Sequence, residues 1–85
     1  MAGPRALIHG TYATFAARDP AGRPRTIHVL RKMLRRRHPA EGWAEVLGPP
    51  ELTTDLGGAV TRLRKGRYLV EKTGEALVSE DPAAI

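Results

Sequence analysis

Leu52-Thr53-Thr54-Asp55-Leu56-Gly57-Gly58-Ala59-Val60-Thr61-Arg62-Leu63-Arg64-Lys65 runs directly into Gly66-Arg67-Tyr68-Leu69-Val70-Glu71-Lys72-Thr73-Gly74-Glu75-Ala76-Leu77-Val78, and the reading of that stretch decides the fold. Leu56, Val60 and Leu63, aided by Ala59, recur at the spacing of a buried helical stripe. Thr53 or Thr54 is placed to cap such a helix, and Asp55 falls in its first turn, where the positive dipole end favours an acid. Gly66 suits a left-handed cap at the end. Leu69–Glu71 and Glu75–Val78 then read as two short strands around Lys72-Thr73-Gly74.

Upstream, Gly48-Pro49-Pro50 stops the chain firmly, and Ala40–Leu47 reads as a short helix with Trp43, Val46 and Leu47 on one face. Trp43 is its natural core anchor. Pro39 suits the first turn of that helix. Ile27, Leu30, Met33 and Leu34 predict a further helix from Thr26 to about Arg37, although Thr26-Ile27-His28-Val29 also reads as a strand returning from a hairpin. Ala6–Ala17 is strand-like, with Gly10 weakening its middle, and Arg18–Pro24 is a turn-rich connector. Gly3-Pro4 opposes regular structure at the start, and Ser79–Ile85 is expected to fray.

Eighty-five residues provide for one domain with one small core. The formal charge of +5 is distributed in blocks. Residues 1–40 carry +8, residues 41–60 carry −4, residues 61–70 carry +4 and residues 71–85 carry −3. Such blocks favour a basic face after folding. The absence of cysteine excludes disulfides, thiolate chemistry and Cys-based zinc sites. No stretch has the character of a signal peptide, and none approaches the ~20 apolar residues of a bilayer span. The expectation is a cytoplasmic, nucleoid-associated protein with no membrane partner.

Helix, short helix, turn, helix and two-stranded hairpin is the order of a winged helix-turn-helix. Trp43–Gly48, Leu52–Lys65 and Tyr68–Gly74 carry the resemblance, which covers about Thr26 to Asp81. The chain therefore resembles an α+β fold, a three-helix winged helix-turn-helix with a C-terminal β-hairpin and an N-terminal strand-like extension. The division it implies is 1–25 extension, 26–81 winged-helix domain and 82–85 disordered tail. Two departures stand out: Gly66 and Arg67 both precede Tyr68, and Gly48-Pro49-Pro50-Glu51 makes a stiff turn.

The resemblance implies that the third helix enters the major groove of double-stranded DNA. Thr54, Gly57, Gly58, Thr61, Arg62 and Lys65 would face the duplex, with Arg62 suited to guanine because its planar fork matches O6 and N7. Arg64, Lys65, Arg67 and Lys72 would meet phosphates, which position without specifying. Arg31-Lys32 and Arg35-Arg36-Arg37 form either a second phosphate strip or a solubilising face. The implied role is a small transcriptional regulator binding specific sites, as a homodimer or within a larger complex.

Catalysis is not expected. His9, His28 and His38 show no metal-ligand spacing, the one serine is Ser79, and Gly57-Gly58 lacks the Lys-Ser/Thr of a phosphate loop. No cofactor is implied. Two alternatives remain. One is a protein-interaction module of the same fold that binds an acidic partner. The other takes Gly10–Ile27 as a β-hairpin turning at Asp19-Pro20-Ala21-Gly22, and resembles the arm-type DNA-binding domain of tyrosine recombinases, where a small sheet packs on a helix.

Overall fold

Backbone geometry around Gly57 settles the first question. Its φ of +85° and the bond from its N–H to the Thr54 carbonyl at 2.9 Å make it part of a tight turn. The computed structural model describes residues 5–7, 10–40 and 42–85, and side chains only from residue 10 onward. The loose start expected before Arg5, and His9, lie outside the described residues.

Every regular element among the described residues is a strand. They are β1 (Arg5–Leu7), β2 (Gly10–Arg18), β3 (Pro24–His38), β4 (Gly42–Leu47), β5 (Glu51–Thr54), β6 (Ala59–Arg64), β7 (Arg67–Val70) and β8 (Ala76–Val78). Neighbours pair antiparallel in the order β1-β2-β8-β7-β6-β5-β3-β4, and a further β2–β3 pairing closes six strands into a barrel. Closure leaves none of those six strands with a free edge along the barrel, whereas β1 and β4 remain outside it with one partner each. The staves are heavily staggered, since Arg18 pairs with Pro24 on one side and Val78 on the other.

The winged-helix reading is therefore overturned, and the α+β class with it. The presumed third helix is β5, a turn and β6. Leu52 and Val60 share the barrel interior, whereas Leu56 and Leu63, assigned to the same stripe, are exposed at 75% and 59%. A spacing of four fits a strand's period of two as well as a helical turn, and Thr53, Thr54, Val60 and Thr61 favour extended backbone. The presumed helix from Thr26 to Arg37 is the long strand β3, and the short helix at Ala40–Leu47 is largely β4. The hairpin around Lys72-Thr73-Gly74 exists as β7–β8. So does the hairpin turning at Asp19–Gly22, as β2–β3. Among the described residues no helix underlies it, so the sheet-on-helix packing of the recombinase-like arrangement is not present there.

Inside the barrel, Phe15, Ile27, Val29, Leu52, Val60, Tyr68, Val70 and Leu77 interdigitate. Phe15 and Tyr68 set their rings 5.2 Å apart at a tilt. Ser79–Ile85, expected to fray, instead crosses one mouth of the barrel. Ala84 is buried there, and the Tyr68 hydroxyl donates to the Ile85 carbonyl oxygen at 2.7 Å. The β2–β8 seam has a single residue pairing, and this segment reinforces it. The Asp81 carboxylate accepts from Ala16 N–H at 2.9 Å, and the Ser79 hydroxyl donates to the Ala16 carbonyl.

Asp19 ties the β2–β3 turn. Its carboxylate accepts from Ala21 N–H and Arg23 N–H and pairs with the Arg23 guanidinium at 2.9 Å. Burial pushes its pKa upward, but the Arg23 and Ala21 hydrogen bonds and the Arg23 charge together win, leaving it below the ordinary value of 3.8. Asp81 is also lowered, by the amides of Ala16 and Ala83.

Candidate nucleic-acid interface

β3 is longer than the barrel needs. Its first half pairs with β2 and β5, while Met33–His38 leave the barrel and pair only with β4. The result is a two-stranded ribbon of about 20 Å at the usual strand rise, and it accounts for the elongated extents of 51 × 28 × 20 Å. Cross-strand partners show which side chains share a face. Met33–Leu47, Arg35–Glu45 and Arg37–Trp43 lie on the face continuous with the barrel interior. Leu34–Val46 and Arg36–Ala44 lie on the opposite one.

Cations therefore project from both faces. The Arg35 guanidinium sits over the Trp43 ring at 5.4 Å, an arrangement that holds both side chains upright. Arg35, Arg36 and Arg37 are exposed, and no carboxylate among the described residues lies within 4.0 Å of them. At the base of the ribbon, Arg31 Nε donates to the Gly48 carbonyl at 2.8 Å, and Lys32 lies 3.6 Å from Glu51. Trp43, expected in the core, is 61% exposed because β4 lies outside the barrel.

The residues assigned to a DNA-reading helix are dispersed by the barrel. Thr54 is buried, and its hydroxyl accepts from Gly58 N–H. Gly57 is a turn residue, and a Cβ on Gly58 would crowd Val70. Thr61 donates to Glu71 at 2.8 Å. Arg62, Arg64, Lys65 and Arg67 are exposed on the β6–β7 hairpin, where Arg64 and Arg67 face each other across the turn. Lys72 lies in the β7–β8 turn.

One convergence survives. Arg31 and Arg62, from separate strands, line a shallow recess with Val29, Pro50 and Ile85. This links the ribbon base to the β6–β7 hairpin, so two basic blocks distant in sequence meet in space.

No family model, curated protein or solved structure matches this chain.

The ribbon is only half visible in the sequence. The Arg35–Arg37 run stands out there, but Ala40–Leu47, most of which pairs with it as β4, reads as a helix. Pro39-Ala40-Glu41-Gly42 before an apolar strand was the signal for a hairpin. Among the described residues no group of three or more His, Asp or Glu is positioned to hold a metal ion.

Proposed function

We propose that this protein binds double-stranded DNA with its projecting basic ribbon, steadied by the arginines of the adjoining barrel mouth. The observation that carries the reading is the run Arg35-Arg36-Arg37, which projects from both faces of a ribbon that extends beyond the barrel. A major groove is wide enough for a two-stranded β-ribbon and is walled by phosphates on both sides. Cations on both faces suit that setting better than a flat surface would. Trp43, held upright by Arg35, offers an apolar plane for sugar or base contact. Arg31 and Arg62 extend the positive surface to the barrel mouth. The activity is binding rather than catalysis, in the cytoplasm where such a partner is found.

The test is a salt titration of duplex affinity. Binding is expected to fall steeply with salt, with a log–log slope near −0.9 per phosphate neutralised. Replacing Arg35, Arg36 and Arg37 together by alanine is expected to flatten that slope by about 0.9 for each contact removed. Single-stranded DNA serves as the comparison, since a Trp43-dominated site would prefer it through stacking. Undetectable duplex affinity at low salt favours instead an acidic protein partner for the same ribbon.

A further inference from the structure

β4 has one hydrogen-bonded neighbour and one open edge. Gly48 N–H donates to the Lys32 carbonyl at 2.7 Å, which fixes the phase of the β3–β4 pairing. Bonded and non-bonded positions alternate along an antiparallel pair. Ala44 and Val46 therefore turn their main-chain groups towards β3. Trp43, Glu45 and Leu47 turn theirs to the open side, where no strand pairs among the described residues. Natural edges are protected by charged side chains, above all lysine, by proline or by cover. Gly42-Trp43-Ala44-Glu45-Val46-Leu47 contains no lysine or proline and a single charge, Glu45.

We propose that β4 pairs antiparallel with β4 of a second copy, across a two-fold axis at Ala44, making a continuous four-stranded platform from two ribbons. A two-fold normal to the sheet brings like faces together, so few registers are open. With Ala44 on the axis, Trp43 lies opposite Glu45 of the other chain. The row across the sheet is then Arg37, Trp43, Glu45 and Arg35, with the last two from the second copy. Each glutamate gains an indole as its cross-strand neighbour. A small residue on the axis lets the strands meet without obstruction. Moving the register one step along sets Glu45 against its own copy, and directly opposed like charges are destabilising. Moving it one step back shortens the paired stretch.

Charge is the main objection, and distance answers it. The arginines lie on the outer strands, three strand spacings or roughly 14 Å apart. That exceeds the Debye length of about 8 Å at physiological salt. The inference rests on the edge geometry alone: a four-stranded platform is too wide for a major groove of about 12 Å, so the paired ribbons and a groove-seated ribbon are alternative states of the chain, and the test is made without nucleic acid.

Sedimentation of the full chain without nucleic acid, over a concentration series, tests it. The wild-type mass is expected to rise from one chain to two and stop there. Trp43 is the sole tryptophan, so its emission is expected to shift blue along the same curve. Glu45→Pro removes an N–H that points to the open edge and spares the β3 bonds; it is expected to remain a monomer throughout. Glu45→Arg, which keeps the main chain intact, is expected to weaken association several-fold and covers the case in which the proline variant fails to fold. A wild-type monomer at every concentration, masses beyond two chains, or unchanged association in both variants would overturn the proposal.

Discussion

Tyr68 shows how much one side chain does in so small a core. Its ring is fully buried against Phe15, while its hydroxyl donates to the Ile85 oxygen and accepts from Gly66 N–H at 3.2 Å. Tyr68→Phe keeps the packing and removes both bonds. We expect a loss of about 1 kcal/mol in chemical denaturation, in line with deleting a satisfied hydroxyl. Asp19 adds a dependence on pH. Its folded pKa lies below its unfolded one, so its stabilisation is complete above about 3.8 and is lost as the pH falls through the folded value. Unfolding midpoints measured at descending pH are expected to drop in that acid range, and Asp19→Asn is expected to flatten that part of the profile. Gly10 has a third kind of role: a Cβ there would run into the Arg31 carbonyl, so Gly10 permits close approach of β2 to β3.

At the level of elements, the same spacing of apolar residues serves a helix and a strand alike. Leu56, Val60 and Leu63 satisfy a helical stripe, yet only Val60 is buried. Gly57-Gly58 held the better signal, since two glycines cost a helix roughly 1 kcal/mol each and cost a turn almost nothing. The hairpins at Asp19–Gly22 and Lys72–Gly74 were legible because their turn residues are distinctive. β3 was not, because apolar residues lie on both of its faces at Ile27, Val29, Leu30, Met33 and Leu34, which blurs any alternation. The basic run in the candidate site was legible; its projection was not, because nothing local marks where β3 leaves the barrel. A paired substitution tests the strand assignment. Leu56→Ala is expected to change stability by less than about 0.5 kcal/mol, as an exposed turn residue should. Val60→Ala is expected to cost roughly 1.5–3 kcal/mol. Equal large costs in urea unfolding would restore a common buried stripe.

At the scale of the whole molecule, the barrel is a meander whose last strand must find its first. That seam has one strand pairing, supplemented by Asp81 and Ser79 gripping both main-chain groups of Ala16. Asp81→Ala is expected to speed amide hydrogen exchange at Ala16 well beyond that at Ile27, which sits mid-barrel. Uniform acceleration across both would mean that the barrel opens as one unit rather than at its seam.

One unbroken strand carries the chain from Ile27 in the barrel to Arg37 near the ribbon tip, so anchor and probe share a single continuous element. Anything that seizes the tip holds the barrel too. Occupancy should therefore register as heat resistance of the entire domain, which makes a simple melting assay a practical screen for whatever the ribbon grips.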